Sequence, residues 1–273
     1  MEQNNQSAPL RPRSRMTRAQ YKRRKRLRLA RNWAILILIC AAIVALMTRG
    51  ILWLLPKVNA LLSGPKRFEA ASYQDAGYVF DPEDVRLTLV NANLPYAQEP
   101  APELESADEN GTIQLETETA QAWRRMAAAA KEDGIQLVLN AGYLDDAGRS
   151  AVYDAQKQTY LEQGKTEQQA ASLAQDVRLT AECSEHGTGY AADILSSDYT
   201  TLDTGFAETR AYEWLSAYGA EYGFILRYPQ DRQAVTGVVF EPWHWRYVGV
   251  ENALAIRASG LSLEEFLAMQ MAS

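Results

Sequence analysis

Cysteine and histidine are the scarcest chemistry-bearing residues in this 273-residue chain, at two each. Cys40 lies in an apolar run and Cys183 far beyond it, so no disulfide within one domain is available. That lack assigns no compartment, because a core of this size needs no covalent staple. With no third histidine to activate it, Cys183 reads as a small packing residue rather than a nucleophile. Positive charge is missing from most of the chain. Of 28 Lys and Arg, 13 fall in residues 1–57 beside a single acid, Glu2, which leaves 15 basic against 33 acidic residues in the remaining 216. A body with that balance repels phosphate, which excludes nucleic acid as a partner. No internal repeat is present, and the ordinary composition excludes disorder and coiled coil for the chain as a whole.

What is there begins with a polar, basic stretch that includes Arg23-Arg24-Lys25-Arg26 and ends at Arg31. Trp33 to Leu55 follows, 23 residues interrupted only at Thr48-Arg49-Gly50. That is long enough to cross ~30 Å of hydrocarbon, and Arg49 near its far end can snorkel to the interface. Cations on the N-terminal side alone place the tail inside and the body outside. The expected organisation is a basic cytoplasmic tail (1–32), a transmembrane anchor (33–55), a stalk (56–84) and one domain (85–273). A cleaved signal peptide is the rival, disfavoured by its long basic region, its long apolar run and the want of a small-x-small site. Both readings export the body.

Periodicity and punctuation predict the elements of that body. Strands are expected at Val85–Val90, Ile135–Leu139, Phe224–Tyr228 and Val235–Phe240, with Asn91–Gly111 a proline-rich loop. Helices are expected at Thr117–Lys131, at Ser150–Ala174 with a break at Gly164 and a restart at Thr166 and Gln169, and at Ala207–Tyr222. A last helix runs to Met271 behind Ser262 and Glu265. Helices and short strands interleave irregularly, which gives an α+β fold class.

Both histidines sit in unusual company. His186 lies in Ser184-Glu185-His186-Gly187-Thr188-Gly189-Tyr190-Ala191-Ala192-Asp193-Ile194, and His244 in Glu241-Pro242-Trp243-His244-Trp245-Arg246-Tyr247. Asp193 is flanked by apolar residues on both sides, as in a buried strand, where an unpaired carboxylate is costly and a metal ion offsets the cost. The glycines let the chain turn so that His186 and Asp193 face one point. With His244 they form a His-Asp-His set, the donor types of a catalytic zinc site with one open position. Glu241 precedes His244 by three residues, and Pro242 can bend the chain to bring that carboxylate near the metal as a base without being a ligand.

The two stretches together resemble the D-alanyl-D-alanine carboxypeptidases of the VanY-like group of zinc peptidases, over roughly residues 86–270. The resemblance implies one zinc-peptidase domain with a small antiparallel sheet and flanking helices, of the Hedgehog/DD-peptidase type. It implies Zn2+ on His186, Asp193 and His244, with Glu241 as general base. Ser184 would stand near the substrate's terminal carboxylate, with Gln156, Tyr143 and Trp243 as further substrate contacts. The family's carbonyl-polarising arginine is expected just after Tyr143, where this chain has Leu144; Arg149 is the candidate replacement. Ala181-Glu182-Cys183 also replaces a common Pro-Gly, which alters the approach loop. The implied activity is removal of a C-terminal D-alanine from peptidoglycan stem peptides, of D,D or L,D type, beside the membrane. Two alternatives stay open: a catalytically silent zinc module that binds wall peptides, and an endopeptidase of the same chemistry. Oligomeric state is not legible.

Overall fold

The structure, a computed structural model, describes residues 18–62, 68–69, 77–96, 101–177 and 180–272. The chain divides into two compact units, Met1–Lys66 and Arg67–Ser273. In the first, α1 (Arg18–Leu62) carries the whole apolar run on one uninterrupted helix with its side chains exposed. Its Lys22–Leu55 stretch is long and apolar enough to cross a membrane. Most of the basic tail, and Gly64-Pro65 of the expected stalk, lie outside the described residues.

The second unit is α+β, as the sequence pattern predicts. A hairpin of β1 (Leu104–Ser106) and β2 (Gln114–Glu116) leads into α2 (Thr117–Glu132). Glu116 caps that helix by accepting from the Thr119 N–H at 3.0 Å. Ala120, Trp123, Met126 and Ala130 then return to one face every three or four residues and are buried. Next come β3 (Leu137–Ala141), α3 (Asp146–Glu162), α4 (Glu167–Val177) and β4 (Ala191–Ser196). The remaining elements are α5 (Arg210–Tyr218), β5 (Phe224–Leu226), α6 (Gln233–Thr236), β6 (His244–Tyr247), α7 (Val250–Ser259) and α8 (Leu263–Met271).

Four strands form one antiparallel sheet in the order β3-β4-β6-β5. The main core sets Trp123, Met126, Trp214, Leu215 and Phe224 against Ile194 and Trp245. A second cluster gathers Leu87, Val248, Ile256 and Phe266 around α7 and α8. Two expected caps are formed. Thr166 and Gln169 exchange bonds at the start of α4, and Ser262 and Glu265 do so at the start of α8.

Several expectations change. Val85–Val90 is not a strand. Asp84 accepts from the Arg86 N–H at 3.0 Å and its side chain pairs with the Arg86 guanidinium at 2.8 Å, which favours a local turn, and Val85–Leu87 forms a 3-10 helix. The expected loop contains β1. Val235–Phe240 is not a strand either: α6 ends at Gly237 in the left-handed region (φ 75°), and the strand begins only at His244, beyond Pro242. The helix expected at Ala207–Tyr222 is shorter, α5 being flanked by two 3-10 turns. Within the expected stalk, Tyr78 donates to Asn252 Oδ1 at 2.8 Å and packs on Phe266, so the body's packing begins before residue 85.

Candidate active site

The centre of the site is one rung of the sheet. Asp193 on β4 and His244 on β6 are directly opposite partners. The Ile194 N–H donates to the Trp243 carbonyl at 2.8 Å, so the hydrogen-bonded pairs lie on either side of that rung. Asp193 and His244 are thus a non-hydrogen-bonded pair, the kind whose side chains stand closest. His244 Nδ1 is 3.1 Å from Asp193 Oδ1. His186 reaches the same carboxylate from a 3-10 turn (Glu185–Thr188), its Nε2 lying 3.5 Å from Asp193 Oδ1. Gly189, with φ 75°, ends that turn and returns the chain into β4.

Each ring is oriented from behind. His186 Nδ1 donates to the Gly142 carbonyl at 2.7 Å, which leaves its Nε2 lone pair facing Asp193. His244 Nε2 faces Glu185 Oε2 at 3.5 Å, so Nδ1 is the nitrogen presented to the site. One donor atom from each of His186, Asp193 and His244 lies within 4.8 Å of the others. Two ligands at zinc bond lengths of ~2.0–2.2 Å on a tetrahedral centre stand roughly 3.3 Å apart. The observed 3.1 and 3.5 Å bracket that spacing, so this donor set fits zinc. Burial alone pushes the Asp193 carboxyl up, yet the two imidazoles hold it well below the usual carboxylate range. Burial opposes a charge on His244, but Asp193 and Glu185 push its pKa up to about 9.

Around the rung is a cavity of about 190 Å³, whose lining includes Ser184, His186, Asp193, Glu241 and His244 together with Arg149, Tyr228 and an aliphatic wall. Glu241 is 3 % exposed, and its Oε2 lies 3.9 Å from His244 Nδ1. A turn through Pro242 puts it there, because in an unbent strand an odd offset sends two side chains to opposite faces. Arg149 enters from the first turn of α3 and is 3 % exposed. Its Nε donates to the Ala181 carbonyl at 2.7 Å, its Nη1 to the Leu144 carbonyl at 2.6 Å, and its Nη2 pairs with Asp146. The guanidinium lies flat against Gly187, where there is no Cβ to obstruct it.

The structure does not bring every expected residue to this cavity. Gln156 is two turns beyond Arg149 on α3, half-buried and outside the lining. Tyr143 is half-buried and also outside it; its N–H donates to the Gln114 carbonyl at 2.7 Å. Trp243 is 5 % exposed and belongs to the main core, because it neighbours His244 in sequence and turns the other way. Cys183 is buried at the end of the turn that leads into Ser184.

Sequence reasoning passed over a buried charge network behind His244. Glu185 Oε1 accepts from Arg227 Nε at 2.7 Å and pairs with Arg246 Nη1 at 2.7 Å. Arg227 in turn makes a two-point pair with Glu264 at 2.7 and 2.9 Å. Burial would raise the Glu185 carboxyl, but the two guanidiniums and the His244 ring hold it well below the ordinary range. The signal was present as Arg227 within the expected strand Phe224–Tyr228 and Arg246 between Trp245 and Tyr247, since a buried cation demands a buried anion.

The match to the family model of D-alanyl-D-alanine carboxypeptidase, VanY, spans residues 112–250. A D-alanyl-D-alanine carboxypeptidase of Enterococcus faecalis is 31 % identical over 77 % of this chain and 74 % of its own length. A bifunctional D-Ala-D-Ala dipeptidase and carboxypeptidase of Enterococcus gallinarum, VanXYC, is 33 % identical over 66 % of this chain and 92 % of its own. Among solved structures, a mutant of the D,D-pentapeptidase VanY from the VanB-type vancomycin-resistance cassette, in complex with Zn(II), superposes with a TM-score of 0.61 at 33 % identity. It covers 67 % of this chain and 98 % of that one. The LD-carboxypeptidase LdcB superposes with a TM-score of 0.55 at 28 % identity, over 74 % of this chain and 94 % of that one.

Proposed function

The chain is a zinc metallopeptidase of the VanY family of D-alanyl-D-alanine carboxypeptidases, and from that premise we propose that it removes the C-terminal D-alanine of peptidoglycan stem peptides. The observation that carries this reading is the placement of Glu241, buried beside the His-Asp-His donor set and in the same cavity wall as Arg149 and Ser184. His186 Nε2, Asp193 Oδ1 and His244 Nδ1 would hold the zinc. When bound there, zinc supplies an electrophile that polarises the scissile carbonyl and acidifies water.

The chain's own residues do the rest. Glu241 accepts the proton of the attacking water and delivers it to the departing amine of D-alanine, as a general base and then a general acid. Arg149, its guanidinium fixed by two carbonyls, supports the charge that develops on the scissile oxygen. Ser184 donates toward the substrate's terminal carboxylate. The aliphatic wall of Leu144, Val152, Leu202 and Val238 excludes water from the reacting bond. The α1 helix anchors the enzyme in the membrane with its catalytic unit outside, next to the wall.

The test uses the full chain in detergent with pentapeptide, tetrapeptide and cross-bridged dimeric muropeptides, with and without chelator. Mass spectrometry of the pentapeptide reaction is expected to show loss of one D-alanine, abolished by chelator. Cleavage of the tetrapeptide alone would make the enzyme L,D-specific. Cleavage of cross-bridged dimers alone would make it an endopeptidase. Binding without any cleavage would leave only the silent module.

A further inference from the structure

Burying two arginines and two glutamates behind one histidine is not needed for stability, since apolar residues of similar volume serve a core as well or better. The arrangement therefore calls for another reason. The side chains of Glu185, Arg227 and Arg246 are all 0 % exposed, and that of Glu264 is 12 % exposed. They form one line of contact that starts on α8 and ends at the back of His244. Arg227 holds this region twice, since its backbone N–H also donates to the His244 carbonyl at 3.2 Å. Arg246, two residues past His244 on β6, is fixed by donating to the Arg86 and Thr88 carbonyls at 3.0 and 2.9 Å. Glu185 is therefore gripped from two sides, with its second oxygen left toward His244 Nε2.

We propose that α8 is part of the zinc site: Glu264, acting through Arg227 and Glu185, is a positioning residue that sets the orientation of the His244 ring. The inference rests on the reading of His244 as a zinc ligand. With Glu264 replaced by an uncharged side chain, Arg227 has Glu185 as its remaining carboxylate partner and draws it from His244, which loosens the ring at the atom that fixes its tautomer. The helix itself is secured independently, by its Ser262–Glu265 cap and by Leu263, Phe266 and Leu267 in the core.

The experiment measures zinc affinity of the full chain in detergent by chelator competition, and the visible absorption bands of the cobalt-substituted protein. Three variants are compared: Glu264→Gln, Glu265→Gln and His244→Ala. Glu265→Gln weakens the same helix through its cap and the Arg232 pair at 2.9 Å without touching Arg227. The expected result is a loss of about tenfold in affinity and a shift of the cobalt bands for Glu264→Gln, the lower end of the range for groups that hold a ligand. Glu265→Gln is expected to lower the melting temperature while leaving both readouts at wild type. Equal effects in the two glutamine variants, or none in Glu264→Gln, while His244→Ala loses zinc, would overturn the positioning role and leave the zinc site standing. Full zinc affinity in His244→Ala would overturn the ligand reading and this inference with it. If Glu264→Gln does not fold, Arg227→Lys, whose single ammonium cannot reproduce the two-point pair to Glu264 while holding Glu185, is measured in its place with the same outcomes.

Discussion

Gly187→Ala isolates the contribution of Arg149 without changing any charged group. A Cβ at this position falls 2.6 Å from the Arg149 Cζ and 3.1 Å from Nη2, closer still to Nη1, so the guanidinium must leave its seat. The backbone at Gly187 is not in the left-handed region, so alanine adds no strain of its own. Leaving the seat breaks the bonds to the Ala181 and Leu144 carbonyls. Hydrogen bonds from a charged donor contribute ~1.5–3 kcal/mol each, and partial resettling makes a net loss of about 3 kcal/mol reasonable. For a domain of this size that lowers Tm by about 6–12 °C. If Arg149 also supports the scissile oxygen, kcat falls about 10²–10³-fold, equivalent to ~2.7–4 kcal/mol. Zinc content stays at wild type, because the His186–Gly142 bond and the Asp193–His244 rung do not involve Arg149. The assay is steady-state release of D-alanine alongside thermal melts and metal analysis. Arg149→Ala and the double variant complete the cycle. Once the guanidinium is gone the new methyl has room, so the double variant is expected to match Arg149→Ala in rate and to melt above Gly187→Ala. Full additivity of the two rate losses would refute the argument that both act through one guanidinium. Unchanged kcat in Arg149→Ala would remove Arg149 from the chemistry.

Four further outcomes can be checked. Glu241→Gln is expected to keep its zinc and lose about 10²–10⁴ in kcat, read by metal analysis and single-turnover kinetics, and a fully active variant would exclude Glu241 as the base. Glu185→Gln leaves Arg227 and Arg246 facing a neutral amide in a fully buried place, and about 3–5 kcal/mol of stability is expected to go in denaturant melts; a loss under 1 kcal/mol would show that the network relaxes freely. The raised His244 pKa makes a stability contribution that is full below pH ~6.5 and lost as pH rises through about 9, so the chelated protein is expected to be less stable at pH 9.5 than at pH 6.5. The depressed Asp193 acts in the opposite sense, its contribution present above pH ~3.8 and lost in acid. Zinc displaces the His244 proton, so zinc affinity is expected to climb by up to about tenfold per pH unit until about pH 9, and a pH-independent affinity would contradict the assignment.

Much of the fold was legible where the signal is local. The Thr166–Gln169 and Ser262–Glu265 caps and the apolar face of α2 are short-range patterns, and they appear as expected. The misread segments were those whose outcome depends on partners far along the chain. Val85–Val90 has strand-like composition, yet Asp84 and Arg86 settle it locally, and among the described residues no strand of either sheet pairs with it. Val235–Phe240 looks extended, but the place beside β4 is taken by His244–Tyr247. In the site, the residues recognisable from their own neighbourhood converge as a group: His186, Asp193, His244 and Glu241 all line one cavity, with Arg149 and Ser184. Trp243 could not be placed without knowing which way the strand faces. Glu264, 78 residues beyond His186, has no local mark of its connection.

The rung formed by Asp193 and His244 divides the enzyme's parts by how freely they can change. Two of the three donor atoms are locked to the register of β4 and β6, and a slip of either strand by one residue would turn its donor away from the cavity and break the set. Such a change is all or nothing, because a side chain on a strand has only two faces to choose between. Glu241, Ser184 and Arg149 stand on turns and on the first turn of a helix, where insertions and rotations are absorbed locally. Arg149 entering from α3, in the role proposed for it in place of Leu144, would be that freedom in use. A scaffold of this kind separates the residues proposed to hold the metal from those proposed to meet the substrate.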